Sequence, residues 1–190
     1  IIAADDMFST PIMAANEVIT DLELGMNFTF NNGYAKINGY KMLYLNEQLK
    51  NINLSQEGEY SYYSADSTTH SGFEYESKLY IDSKTILGIN GAIQMNVFNN
   101  GNFIPNTPSS MMNVSLSHDF SKNLLLFAHY RKIGGMYIDN INAEDGYINS
   151  FGVFDLGTNI SRGKFKVSLK INNVFNKLYS TYGYSYDYNG

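Results

Sequence analysis

The side chains best suited to acid–base chemistry are two glutamates that follow one another along a predicted strand. Glu74 and Glu76 project from the same face of that strand. They lie about 7 Å apart given the rise of two strand residues, near the separation of the paired carboxylates in glycoside hydrolases. Lys78 lies on the same face and offsets their charge. A solvated polar face therefore explains these residues better than catalysis.

Few other residues could support catalysis. The chain has no Cys and only three His, and it contains no HExxH, GxSxG or GxxxxGK[ST] motif, so the nucleophile, zinc-protease and P-loop classes lose their usual signatures. His118 and His129 lie within predicted strands, where a satisfied structural role is favoured. His70 lies ahead of Gly72 and is kept as a candidate ligand contact. We expect no enzyme activity, no metal site and no bound cofactor.

Tyrosine clusters give the best indication of ligand recognition. One cluster spans residues 59–63 and the other spans residues 182–188, and both lie near the predicted outer ends of strands. Tyrosine combines a large apolar ring with a hydroxyl group, so either cluster could hold a bulky small molecule. An aromatic belt or packing within loops is the favoured alternative. The candidate ligand contacts are His70, Tyr60, Tyr62, Tyr63, Tyr182, Tyr184 and Tyr186.

These residues must be positioned by β-strands and turns. The 190 residues include 16 Tyr and 12 Phe but no Trp; aromatic residues favour strands, while Asn and Gly favour tight turns. Apolar and polar residues alternate over residues 22–30, 73–81, 87–97 and 165–172, and this period predicts about eight strands. The short turns are Asn31-Asn32-Gly33, Asp82-Ser83-Lys84, Ser121-Lys122-Asn123 and Arg162-Gly163-Lys164.

Longer polar stretches over residues 46–58, 99–110 and 139–150 separate these hairpins. Short and long connections therefore alternate, as in outer-membrane barrels. The strands are long for a soluble protein, whose strands average roughly five or six residues, and suit the about 9–11 residues of a membrane strand. We predict an all-β fold, a fragment of an antiparallel transmembrane β-barrel. The net charge of −5 argues against nucleic-acid binding.

Five short motifs, in order along residues 17–182, give the sequence a family resemblance. The most specific is the run from Ile171 to Tyr179, an Asn-hydrophobic-Phe-Asn-Lys-x-Tyr pattern. The others are Asp21-Leu22-Glu23-Leu24-Gly25, Ser71-Gly72-Phe73-Glu74, Ile104-Pro105-Asn106-Thr107-Pro108 and Val153-Phe154-Asp155-Leu156. Together they resemble the C-terminal barrel part of TonB-dependent outer-membrane receptors.

This resemblance implies a receptor and transporter in the bacterial outer membrane, with a barrel of about 22 strands around a plug. TonB, ExbB and ExbD would energise it through the plug, and the lipid bilayer would surround it. It would import a scarce nutrient, first of all an iron–siderophore chelate, with haem or cobalamin next. A passive porin-like or structural outer-membrane barrel is the alternative, and a soluble β-rich binding module is a third hypothesis.

The resemblance also sets the expected domain organisation. Residues 1–19 are predicted to form an extracellular loop or partial strand, and residues 20–190 a partial receptor barrel. Neither the plug nor the closing strand of the family is recognised in this sequence, so we expect a fragment of a larger barrel.

Overall fold

A computed structural model describes residues 15–50 and 62–183, and all structural statements below concern these residues. The strands are β1 (Val18–Phe30), β2 (Gly33–Lys50), β3 (Tyr62–Tyr80), β4 (Thr85–Phe98), β5 (Ser110–Ser121), β6 (Leu124–Ile133), β7 (Met136–Tyr137), β8 (Tyr147–Ile148), β9 (Phe151–Arg162) and β10 (Phe165–Ile171). One 3-10 turn, Glu144–Gly146, precedes β8. No helix in the described ranges is long and apolar enough to cross a membrane.

Eight of the strands form one antiparallel sheet in the order β1-β2-β3-β4-β5-β6-β9-β10, and β7 pairs with β8 in the connection between β6 and β9. Each strand of the large sheet thus pairs with the strand that precedes it in this order. Within the described ranges β1 and β10 do not pair with each other, so the sheet is open. The predicted all-β barrel fragment of about eight long meandering strands is confirmed.

The four short turns lie where the sequence predicts them. The turn between β3 and β4 shows why its residues suit it, because Asp82 accepts hydrogen bonds from the Lys84 amide at 2.7 Å and the Thr85 hydroxyl at 3.0 Å. Both bonds favour the ionised carboxylate. The Lys84 amide first, and the Thr85 hydroxyl second, hold the pKa of Asp82 below its usual value.

The two faces of the sheet differ in chemistry. Strand pairing aligns the even residues of β1 with the odd residues of β2, β3 and β4, so that one face is predominantly apolar, although it also carries Lys41. On this face Leu24, Phe73 and Leu169 are 79%, 68% and 58% exposed. The opposite face carries Glu23, Asn38, Glu76, Asn90, Asn113 and Lys170. So much exposed apolar area on one side predicts a non-aqueous surrounding for that side.

Glycines permit aromatic rings to lie against the backbone of neighbouring strands. A Cβ atom at Gly91 would overlap the Met111 carbonyl oxygen and the Tyr75 hydroxyl, and one at Gly157 would overlap the Phe127 ring. Rings that cover strand glycines in this way help to fix register between strands.

Two segments differ from the sequence predictions. Strand β2 continues to Lys50, although the stretch from Asn46 was predicted as a loop; Asn46 has a φ of 58°, which asparagine tolerates inside the strand. The run after Ile171, expected in a late strand, is instead a tight turn in which Asn173 and Asn176 have φ of 51° and 50°. The Asn173 side chain stabilises this turn, because its Nδ2 donates to the Lys177 carbonyl and its Oδ1 accepts from the Lys177 amide.

Candidate functional site

The connections between β4 and β5 and between β6 and β9 pack against each other at one end of the sheet; we call them the loop platform (residues 99–109 and 134–150). Asparagine side chains form pairs of hydrogen bonds with backbone groups, both between the two parts of the platform and with the segment that follows β10. The Asn142 side chain accepts from the Phe103 amide at 2.6 Å and donates to the Phe103 carbonyl at 3.0 Å. The Asn106 side chain makes the same pair of bonds with Gly183, both at 3.1 Å. Satisfied polar groups of this kind give the platform a defined conformation.

An aromatic pocket lies within the loop platform. The Phe103 and Tyr137 rings stack with centroids 5.9 Å apart, and Tyr147 meets Tyr137 edge-on at 4.9 Å. Glu144 contributes a carboxylate to the lining, and the cavity measures about 330 Å³. Such a pocket could hold a small group that has both apolar surface and a polar or charged centre.

His70 lies below the platform on the polar face, in a cluster of hydrogen-bonded side chains. Its Nε2 is 3.0 Å from Glu47 Oε2 and its Nδ1 is 3.1 Å from Asn96 Oδ1. The Thr68 hydroxyl donates to the same Glu47 carboxylate, and Thr68 is 1% exposed. Because both ring nitrogens have partners, this arrangement ties β2, β3 and β4 together, and a ligand would need to displace one of them.

The predicted tyrosine contacts divide into two sets. Tyr60, Tyr184 and Tyr186 lie outside the described residues. Tyr62 is 69% exposed and Tyr182 is 43% exposed, whereas Tyr63 is half-buried and hydrogen-bonds the Asn140 side chain of the platform. Lys50 pairs with Tyr62 across β2 and β3, and its ammonium group lies 5.9 Å from the Tyr182 ring. Tyr62 and Tyr182, one from each cluster, therefore both lie beside Lys50 at this end of the sheet.

The two glutamates considered for catalysis lie within the polar face. The Tyr34 hydroxyl donates to Glu76, and Lys36 Nζ is 3.8 Å from Glu76 Oε2. Glu74 is exposed. This is the pattern of a solvated, charge-balanced face.

A buried carboxylate that the sequence analysis did not single out lies on the same face. Asp155 in β9 is 1% exposed. Its Oδ2 is 3.3 Å from Arg131 Nη2 and 3.2 Å from Lys170 Nζ, and its Oδ1 accepts from the Asn173 amide at 2.9 Å. Asp155 thus joins β6, β9 and β10 to the turn that follows β10. In the described ranges no group of three or more acidic, His or Cys side chains could hold a metal ion.

Comparison with known families decides the identity of this sheet. Residues 4–174 match the family described as TonB dependent receptor-like, beta-barrel. The chain belongs to this family. The TonB-dependent receptor barrel thus accounts for the long strands, the two contrasting faces and the alternation of short turns with longer loops.

Solved structures show the same fold. The ferric yersiniabactin uptake receptor FyuA from Yersinia pestis matches with a TM-score of 0.75 and 20% identity, covering 90% of this chain and 27% of that one. The siderophore receptor PiuA from Acinetobacter baumannii gives 0.71 and 18%, covering 87% and 25%. The copper transporter OprC gives 0.72 and 16%, covering 88% and 27%.

The chain spans about a quarter of the length of these three proteins. No curated protein matches it. Members of the receptor-barrel family are transporters and receptors rather than enzymes, in agreement with the charge-balanced setting of Glu76.

The motifs of the resemblance acquire physical roles in the TonB-dependent receptor barrel. Asp155 comes from the Val153–Leu156 motif and Asn173 from the run after Ile171, and the two are hydrogen-bonded. An isolated Asp within an apolar strand run, followed by an Asn-rich turn, is the signal that could have identified this contact. Glu47 left no such signal, because it lies in the stretch that the sequence predicted as a loop.

Proposed function

We propose that the full-length protein is an outer-membrane TonB-dependent transporter that imports a scarce nutrient, first of all an iron–siderophore complex. The observation that supports this most strongly is the family match over residues 4–174. Haem and cobalamin are the next candidates. No covalent chemistry is required of these residues.

The two faces of the sheet support the outer-membrane location. The predominantly apolar face, with Leu24 and Phe73 largely exposed, suits contact with the lipid bilayer. The opposite face, with Glu23, Asn90 and Lys170, suits a wet lumen. On this polar face the buried carboxylate of Asp155 is paired with two cations, Arg131 and Lys170, as expected for a charge held within a barrel wall.

The arrangement of the loops supports ligand capture at one end of the barrel. Asparagine side chains hold the loop platform together, and the platform encloses an aromatic pocket. On this view the loops bind a small-molecule metal chelate, and TonB, ExbB and ExbD supply the energy for its passage. The siderophore and copper assignments printed for the similar structures belong to those proteins; here they guide the choice of ligands to test.

Uptake measurements test this function. We compare a deletion strain with a strain complemented with the full-length gene, and both strains are prepared with and without TonB. Each is supplied with radioiron as one of a panel of ferric siderophores or as haem. We expect gene-dependent uptake of at least one chelate, and we expect it to disappear without TonB. Gene-dependent uptake that persists without TonB would instead support a passive porin-like barrel, and unchanged uptake of every chelate would contradict iron import.

A further inference from the structure

The aromatic pocket of the loop platform has the composition of a site for an organic cation. Phe103, Tyr137 and Tyr147 contribute three rings, with Tyr137 in contact with the other two, and Glu144 is the acidic residue of the lining. Aromatic faces attract ammonium and guanidinium groups, more strongly where water is excluded.

The charge of the surrounding loops favours the same kind of ligand. Residues 99–109 and 134–150 contain three carboxylates, Asp139, Glu144 and Asp145, and no Lys or Arg. Asp139 is 8% exposed, and its Oδ1 accepts from the amides of Ile141 and Ala143, so its role is to shape the loop. Glu144 is exposed and lines the pocket. A site of one charge sign attracts ligands of the opposite sign.

The pocket is held in shape before any ligand arrives. Phe103 is fixed by its two hydrogen bonds with Asn142. Tyr147 lies directly against Gly135, where a Cβ atom would overlap its hydroxyl and ring. A preformed pocket avoids the entropy cost of ordering loops on binding.

We propose that this pocket binds an organic cation, a quaternary or protonated amine, and that the imported ligand presents such a group. The second part rests on the proposed transport function, while the binding itself does not. The rings contact the apolar surface of the cation, and Glu144 lies where its charge can be neutralised. A ligand whose outer surface is wholly anionic would be disfavoured in this platform.

Choline and its neutral isostere 3,3-dimethylbutan-1-ol provide the probes, because they differ in charge but hardly in shape. Binding is measured by ligand-observed NMR titration of the full-length protein in a maltoside detergent, which itself contains no ammonium group. We expect choline to bind at least about fivefold more tightly than the alcohol. The Glu144→Gln variant should weaken choline binding about two- to fivefold, and Tyr137→Leu about three- to tenfold.

The Asp145→Asn variant is the matched control, because it removes the same charge from the adjacent exposed residue, which does not line the pocket. Its choline affinity should stay within about twofold of the wild type. Equal binding of choline and the alcohol, absent choline binding, or equal weakening by Glu144→Gln and Asp145→Asn would overturn the proposal. Glu144 is exposed, so its replacement does not endanger folding. If uptake requires TonB but choline does not bind, this inference is refuted and the transport proposal is not. If choline binds but uptake does not require TonB, only the transport proposal is refuted.

Discussion

Replacing Asp155 with Ala should destabilise the junction between β9, β10 and the turn that follows. The Asp155 side chain is 2% exposed, and the cations that it pairs with are about half exposed, Arg131 at 51% and Lys170 at 44%. The Asn173 amide donates to the same carboxylate at 2.9 Å. Asp155→Ala removes all three interactions, whereas Asp155→Asn removes the charge and retains an oxygen acceptor for the Asn173 amide.

The expected size follows from these contacts. Leaving the Asn173 amide without an acceptor costs about 1–3 kcal/mol, and each half-exposed ion pair contributes about 0.2–1 kcal/mol. Because Arg131 and Lys170 are each about half exposed, water can partly replace the bonds that they lose. We therefore expect Asp155→Ala to cost about 2–3 kcal/mol locally and Asp155→Asn about 1 kcal/mol.

Hydrogen–deuterium exchange of the full-length protein, followed in peptides that cover residues 165–180, measures this cost. Because each 1.4 kcal/mol is tenfold in an equilibrium constant, Asp155→Ala should speed exchange by about 30- to 150-fold there, and Asp155→Asn by about fivefold. Asp145→Ala, in an exposed part of the loop platform, is the control. Equal exchange in Asp155→Ala and the control would refute the role assigned to Asp155, and so would a larger effect of Asn than of Ala.

Three further predictions concern the turns, the glycines and the loop platform. Gly91→Ala places a methyl group against the Met111 carbonyl and should lower the unfolding temperature of the barrel. In gels of samples heated to increasing temperatures, the band of the folded protein should disappear at a lower temperature than in the wild type, and the same migration at every temperature would contradict this. Asn142→Ala removes both bonds with Phe103 and should destabilise the platform by about 1–2 kcal/mol, measured as faster hydrogen exchange over residues 99–109. Unchanged exchange there would contradict the role of the asparagine bridges. The pKa of Asp82 is lower in the folded than in the unfolded protein, so its contribution to stability is present above the unfolded pKa of about 4 and is lost as the pH falls through the lower folded value. Asp82→Ala should therefore speed hydrogen exchange in the turn at pH 7 but not at about pH 2. Equal effects at both pH values would contradict this role of Asp82.

The sheet was largely predictable because its signals are local. Alternation over residues 87–97 and 165–172 fixes which residues share a face, and the Asp82 and Arg162 turns end the strands at the expected positions. These features depend on the two-residue period of strands and on turn chemistry, both of which act over a few residues.

The details of the candidate site were less predictable because they depend on contacts between distant residues. Asn142 meets Phe103 across 39 positions, and Asn106 meets Gly183 across 77. Nothing in their local sequence distinguishes these asparagines from solvated loop residues. The aromatic pocket likewise joins Phe103 to Tyr147 from two separate loops, whereas sequence reasoning looked for ligand contacts in the tyrosine-rich clusters.

Spin labels along β4 in the full-length protein, reconstituted in bilayers, test most directly whether this sheet is a membrane barrel wall. The chain has no Cys, so single cysteines at Ile89, Asn90, Ile93 and Gln94 give defined labels within it. Labels at Ile89 and Ile93 should collide more with oxygen, which dissolves in lipid, than with a water-soluble nickel chelate, and those at Asn90 and Gln94 should show the lower oxygen accessibility. Accessibility that fails to alternate, or alternates in the opposite phase, would contradict the assignment of the apolar face to the bilayer.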